Sequence, residues 1–255
     1  GSDTTAVAIA AALRADRCEI YTDVEGVYTA DPRIVPNARK LPEVSYDEML
    51  EFASLGAKVL HNRSVEMAKK YGVELVVLSS LTRAEGTVVK EETKVERMLV
   101  SGVAVDKNTA RISVLGVKNE PGIAFRIFNM LAKNQINVDI IIQSVGREDK
   151  KDISFTVART DLAEALDILN ENKETFTASE ITCDETVAKV SIIGAGMVSN
   201  PGVAAKMFEA LANGDVNIKM IATSEIRITV LIDEQDANRA MRLVHDAFAV
   251  SYTHL

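Results

Sequence analysis

The sequence predicts an α/β chain: a parallel-sheet lobe followed by two ferredoxin-like βαββαβ modules. Helix and strand patterns alternate over the first ninety residues. A 24-residue stretch then recurs eighty positions further on, and each copy ends in a strand and is followed by a further strand and a helix.

In the first part, Thr4 to Leu13 is alanine-rich and apolar, a helix able to pack closely. "CEIYTDV" reads as a strand ending in a Thr-Asp turn. "YTDVEGVYTADPR" (Tyr21 to Arg33) has little helical periodicity, and Asp31-Pro32 fixes an extended or turn conformation. "SYDEMLEFASLGA" opens with Ser45 as N-cap and Glu48 three residues on, a capping box. "SVEMAKKYG" is a helix stopped by Gly72, and "VELVVLSS" is a continuous apolar strand of the kind buried in a parallel sheet. The polar stretch Thr82 to Glu96 reads as linker. The expected boundaries are 1–90 for the lobe, 91–100 for the linker, 101–186 for the first module and 187–255 for the second.

The repeat aligns "PGIAFRIFNMLAKNQINVDIIIQS" from Pro121 with "PGVAAKMFEALANGDVNIKMIATS" from Pro201, with nine identities and no gap. A β-branched run precedes each copy, Arg111 to Val117 or Lys189 to Ile193. Pro-Gly then opens a helix, with proline expected in its first turn. Ile123, Ile127, Met130 and Leu131, and likewise Val203, Met207 and Leu211, recur at helical spacing. "IIIQSV" or "MIATS" is a strand, "DISFTVA" or "EIRITVLI" another, and "DLAEALDILNEN" or "DANRAMRLVHDAF" a helix. A last strand, "SEITCDE", is visible only in the first copy.

A formal charge of −8 argues against nucleic acid as a partner. No apolar run reaches the roughly 18 residues needed to span a bilayer, and no basic-then-apolar leader opens the chain. Cys18 and Cys183 are far apart in sequence and near no histidine cluster, which suits reduced thiols in cytoplasm and no metal site. There is no Gly-Lys pair and so no P-loop. "GAGMVSNPG" resembles a dinucleotide fingerprint, but Ser199 stands where the third glycine belongs. His61, His245 and His254 are isolated and read as surface or packing residues.

Two segments carry chemistry. Hydroxyls, aspartates, a tyrosine and an arginine at the end of a strand in an α/β sheet suit a ligand loop. Arg33 and the later Lys58 could offset phosphoryl charge. The same composition also suits a surface loop with ordinary ion pairs. In the repeats, a helix start with exposed N–H groups suits a carboxylate, and glycine permits close approach. An ammonium would need acceptors such as Asn119, Asp139 and Gln143; in the second copy Lys219 replaces the aspartate, and Ser199, Ser224 and Glu225 could contribute. The plainer alternative is that Pro-Gly only starts a helix.

"GSDTTA", "EIYTDVEGVYTADPR", "SYDEMLEFASLGAKVLH" and "NVDIIIQ" together closely resemble bacterial aspartate kinase, from Gly1 to about Phe248. The resemblance implies that residues 1–90 are the later part of an amino-acid-kinase domain and that the repeats are paired ACT domains. It implies phosphorylation of the aspartate β-carboxylate by Mg-ATP to 4-phospho-L-aspartate, toward lysine, threonine and methionine, with no tightly bound cofactor. Carried over, Ser2 would bind aspartate, and Asp3 would orient the catalytic lysine. Thr22, Asp23, Tyr28 and Arg33 would line the nucleotide, and Lys58 would meet its phosphates. Effector residues would be Asn119, Gly122, Ile123, Ala124, Asn137, Val138, Asp139 and Gln143 in the first module. In the second they would be Ser199, Gly202, Ser224 and Glu225. Lysine, threonine or both would be the effectors, and the ACT domains would pair in a homodimer or with full-length subunits.

The family's Lys-Gly-Gly-Thr-Ser segment is not in this sequence, so the chain is expected to be N-terminally truncated and inactive alone. Asn62 stands where the family usually has proline, and the tail 251–255 ("SYTHL") is expected to be foreign to the gene. The alternative reading is a non-catalytic, amino-acid-sensing regulatory subunit.

Overall fold

The computed structural model describes residues 1–56, 59–91, 99–144 and 149–249, apart from the side chains of Val198, Ser199 and Ala249. The chain forms two compact units, one of residues 1–106, 190–230 and 236–255, the other of 107–189 and 231–235.

The first unit begins with helix α1 (Ser2–Ala12), β1 (Arg17–Thr22), β2 (Glu43–Ser45), α2 (Tyr46–Ser54), α3 (Asn62–Tyr71), β3 (Glu74–Ser79) and β4 (Thr87–Lys90). The sheet order is β1-β3-β4-β2. β1 and β3 run parallel with Thr22 opposite Ser79, while β4 is antiparallel to β3 and parallel to β2. Val7, Met49, Phe52, Val65, Ala68, Leu75 and Val77 are buried together between the helices and this sheet. The capping box is formed: Glu48 N–H donates to Ser45 Oγ, and the Ser45 backbone N–H donates to the Glu48 side chain. Gly72 ends α3 at φ +67°, a left-handed conformation that glycine adopts without a Cβ penalty. The expected linker is wrong in one part. β4 lies inside it, with Thr87 and Val89 buried in alternation, and a four-residue strand is too short to stand out from polar neighbours.

Strand β5 (Gly102–Asp106) follows. The second unit then runs β6 (Ala110–Lys118), α4 (Ile123–Lys133), β7 (Val138–Gln143), β8 (Lys150–Val157), α5 (Leu162–Glu171) and β9 (Glu180–Asp184). Its sheet order is β7-β8-β6-β9, with each resolved pairing antiparallel. This is the split βαβ pattern read from the repeat. Ile112, Ile127, Leu131, Ile153, Phe155 and Phe176 fill its core, and Phe128 meets Phe155 edge-on at 5.2 Å.

The second copy forms β10 (Val187–Ile193), α6 (Val203–Asn213), β11 (Met220–Thr223), β12 (Arg227–Asp233) and α7 (Ala237–Ala249). Its sheet order is β11-β12-β10-β5. Residues 102–106, expected in the first module, therefore occupy in this sheet the place that β9 holds in the other. The proline expectation also shifts. Gly122 and Gly202 are the N-caps, at φ +90° and +96°, so Pro121 and Pro201 stand one residue outside their helices.

Phe155→Ala should destabilise the second unit by about 3–5 kcal/mol through lost burial and a cavity. The exposed Phe125→Ala should stay within about 0.5 kcal/mol of the parent. Urea unfolding followed by far-UV circular dichroism compares the two.

Candidate functional site

Beyond the C-terminal ends of the parallel strands β1 and β3 lies the loop 23–42, the position where open α/β sheets take ligands. The loop is pinned from below. Val27 N–H donates to Thr87 Oγ1 at 2.8 Å, and that hydroxyl donates to Leu41 O at 2.6 Å. Thr29 N–H donates to Arg39 O, Arg39 N–H donates back to Thr29 Oγ1, and Leu41 N–H donates to Val27 O. Gly26 is required here: at φ +152°, a Cβ would also lie 2.5 Å from Thr87 Oγ1.

On this frame, Thr22 Oγ1 donates to Asp23 Oδ1 at 3.1 Å, and the Thr22 carbonyl accepts from Ser80 N–H and Oγ–H. Tyr28 O–H reaches Glu25 Oε2 at 3.5 Å, and burial and then Glu25 raise its phenol pKa. Glu25 also accepts from Thr82 Oγ1 and lies 3.8 Å from Lys40 Nζ. Arg33 is turned onto Asp31 in a paired contact of 2.7 Å and 3.2 Å or less, and its side chain is 88% exposed. Arg33's hydrogen bonds hold the Asp31 carboxyl below the usual carboxylate range, and Asp23 adds a smaller attraction to the guanidinium. A phosphate would have to compete with Asp31 for this cation. Ser2 and Asp3 open α1, with Ser2 Oγ donating to Asp3 Oδ1 at 3.2 Å. Burial first, and then the Asp3 charge, raise the thiol pKa of Cys18 near the start of β1. Lys58 lies outside the described residues.

The second copy holds a cleft of about 240 Å³ lined by Met197, Asn200, Gly202, Val203, Ala204, Thr223, Ser224, Glu225 and Ile228. One wall is the start of α6, where first-turn N–H groups have no intrahelical partner and no side chain caps them. The other is the turn between β11 and β12, closed by Ser224 N–H to Arg227 O at 2.7 Å. Anion-binding N–H groups, the Glu225 carboxylate and an apolar floor of Met197 and Ile228 together suit a small zwitterion. Gly202, Ser224 and Glu225 were legible in the sequence; the Ser199 side chain lies outside the described set. Met197, Asn200, Val203, Ala204, Thr223 and Ile228 were not among the expected residues, although Asn200 adjoins the Pro-Gly signal.

The first module does not gather its expected residues in the same way. Gly122, Ile123 and Ala124 begin α4, whereas Asn137, Val138 and Asp139 begin β7, which follows the far end of that helix. Asp139 and Gln143 are four residues apart on one strand, about 13 Å. Asn119 N–H is bonded to Asp149 O. The Asp139 carboxylate, expected to accept an ammonium, already receives one: Lys189 Nζ lies 2.7 Å away and is largely buried.

His245 was read as a surface or packing residue, yet it makes a specific contact. Buried on α7, it bonds Thr29 Oγ1 through Nε2 at 2.9 Å, while its Nδ1 has no hydrogen-bond partner. Thr29 Oγ1 in turn accepts from Arg39 N–H. His61 caps α3 by accepting from Arg63 N–H. Cys18 is buried and Cys183 exposed, neither in a disulfide. Among the described residues no cluster of metal-ligating side chains occurs, and no helix is long and apolar enough to cross a membrane.

An α/β lobe is thus joined to a βαββαβ module and to a βαββα copy whose sheet β5 completes, the second with a small cleft at its helix start. Residues 1–79 match the amino acid kinase family, and residues 112–172 and 190–248 each match the ACT domain. The aspartokinase of Bacillus sp. (strain MGA3) is 50% identical over 252 residues, 98% of this chain and 61% of that protein. The regulatory subunit of aspartate kinase from Thermus thermophilus is 43% identical, with 59% of this chain and 99% of that one covered at a TM-score of 0.56. E. coli aspartokinase III with aspartate and ADP is 30% identical, with 97% of this chain and 55% of that one covered at a TM-score of 0.83. The same enzyme with lysine and aspartate gives a TM-score of 0.77. The chain belongs to the aspartate kinase family, and it spans 61% of the length of the Bacillus relative.

Burial depresses the His245 pKa below its ordinary 6.5, against a smaller opposing pull from Asp246. The unfolded chain therefore binds the extra proton first, and His245's contribution to stability is full above about pH 6.5 and falls as pH drops below it. His245→Gln should flatten this part of the stability curve between about pH 7.5 and 5.5, measured as the difference between parent and variant in urea midpoint.

Proposed function

We propose that the chain is the later part of the catalytic lobe and the amino-acid-sensing part of an aspartate kinase. The enzyme would transfer the γ-phosphoryl of Mg-ATP to the β-carboxylate of L-aspartate, giving 4-phospho-L-aspartate on the route to lysine and threonine. Aspartate and ADP in the E. coli relative support the substrates, and its lysine complex supports an amino-acid effector. In this reading Thr22, Asp23 and Tyr28 contact the nucleotide, and Arg33 leaves Asp31 to meet phosphate. Ser2 binds aspartate, Asp3 orients a lysine supplied from elsewhere, and Lys58 offsets phosphate charge. Phosphoryl transfer rests on positioning and electrostatics rather than covalent catalysis, which fits a loop held by backbone bonds and ion pairs.

The observation that carries the regulatory half is the cleft at the start of α6, with Glu225 opposite uncapped helix N–H groups. Lysine or threonine would place its carboxylate on α6 and its ammonium near Glu225 and Ser224. The first-module set, from Asn119 through Gln143, would be completed by a second copy or a full-length subunit in a dimer. A cytoplasmic location accompanies this role. The Thermus relative favours one second reading, a non-catalytic regulatory subunit, because such a subunit matches 59% of this chain. The kinase-family match over residues 1–79 weighs toward the catalytic reading.

Assayed as these 255 residues, the chain should yield no hydroxamate-trapped aspartyl phosphate; steady turnover would overturn the proposed inactivity. L-lysine or L-threonine at about a hundred times its Kd should stabilise the fold by about 2.7 kcal/mol, read as a higher melting temperature. Glu225→Gln should shrink that shift. A flat response to both amino acids at millimolar concentration would remove the sensing role.

A further inference from the structure

Helix α2 carries two acidic side chains one turn apart, and each is tied to a different wall of the α6 cleft. Glu48 is buried, and its Oε1 accepts from Ala195 N–H at 3.1 Å and from Ser101 Oγ–H at 2.6 Å. Ala195 begins the segment that continues through Met197 and Asn200 to the start of α6, the first wall. Glu51 Oε2 accepts from Arg227 Nη1 at 2.9 Å, in a pair whose side chains are only 24% and 20% exposed. Arg227 directly precedes Ile228 and closes the turn bearing Thr223, Ser224 and Glu225, the second wall.

The second wall is also fixed to the first: Gly194 N–H donates to Ile226 O at 3.0 Å. Gly194 packs so closely that a Cβ would lie 2.6 Å from Leu99 O, which leaves this segment little room to move independently. A ligand that shifts the two walls as one must therefore change the load on Glu48 and Glu51 together. Both carboxylates sit on one rigid helix, so a movement of the walls becomes a tilt or shift of α2.

We infer that Glu48 and Glu51 are positioning residues that couple occupancy of the α6 cleft by an amino acid to the placement of α2 and the segment after it. The inference rests on the reading of that cleft as an amino-acid site. Coupling between two sites is a free-energy difference that both ligands share, so an element that carries it must respond to binding at either end. The Glu51–Arg227 pair suits that task because it is partly shielded, charge-assisted and breakable without unpacking a core.

Amide hydrogen exchange of the 255-residue chain, with and without L-lysine or L-threonine, tests this. In the parent, ligand should slow exchange in residues 194–204 and 220–228 and also in α2. Glu51→Ala should keep the cleft protection and lose the change in α2. The exchanged pair E51R with R227E should regain it, a recovery that general loss of stability would not give. Cleft protection without any change in parental α2, or an E51A response equal to the parent's, would overturn the inference while leaving the amino-acid site intact. No protection of the cleft by either amino acid would overturn both.

Discussion

A carboxylate removed from water must be met by donors, and Glu48 meets that demand with groups from three separate segments. Ser45 supplies a hydroxyl and a backbone N–H, Ser101 a hydroxyl and Ala195 a backbone N–H. An unpaired charge at this depth would cost several kcal/mol, so the three segments are held wherever the carboxylate can reach them all. The capping box is thus only the local half of the arrangement. The same side chain that starts α2 also fixes Ser101, just after the expected linker, and Ala195, the second residue after β10.

The second βαββ copy shows the same non-local logic in its backbone. A sheet edge leaves N–H and C=O groups unpaired, and each module covers the outer side of its first strand with a fourth strand. In the first module that strand is β9, the continuation of the same chain. In the second it is β5, which precedes the whole first module in sequence. β5 is in addition bonded to the loop 23–42, Val103 N–H donating to Thr29 O at 2.7 Å. Residues 107–189 are therefore an insertion between a strand and the sheet it completes, and the second sheet has all four strands only once its distant strand arrives. Contacts of that separation are slow to close and bind early and late parts of the chain into one cooperative unit.

What the sequence revealed was local. Ser45 with Glu48 three residues on, Gly72 after a basic turn, and the 3.6-residue spacing of Ile123, Ile127 and Leu131 are short-range patterns, and each became the expected cap or helix face. The repeat was equally legible, because two copies of one sandwich must conserve their buried positions. Long-range choices left no such trace. Nothing in "GVAVD" distinguishes an edge strand of the first sheet from one of the second. Lys189 carries no mark that its ammonium will lie on Asp139, fifty residues earlier. Arg33 was read as a phosphate partner from its loop, yet Asp31 two residues away holds it. His245 was set aside for standing alone in sequence, although folding brings it to Thr29.

The two copies share a fold but differ in charge at the start of their first helix. At the start of α6 the residue before Pro-Gly is Asn200, neutral, with its amide donated to Gly196 O. At the start of α4 the corresponding residue is Glu120. Lys118 above all, with Arg126 of the helix's first turn, holds its carboxyl below the usual carboxylate range. Glu120 thus brings a carboxylate, with its two cations, to the residue before Pro121, where the second copy has a neutral amide. Glycine at the N-cap is common to both copies, so backbone geometry alone does not select a ligand. The neighbour one step before the proline is where the two helix starts differ in charge. A duplicated module can thus keep its buried positions and still present two different helix starts, one beside a neutral amide and the other beside a carboxylate held by two cations.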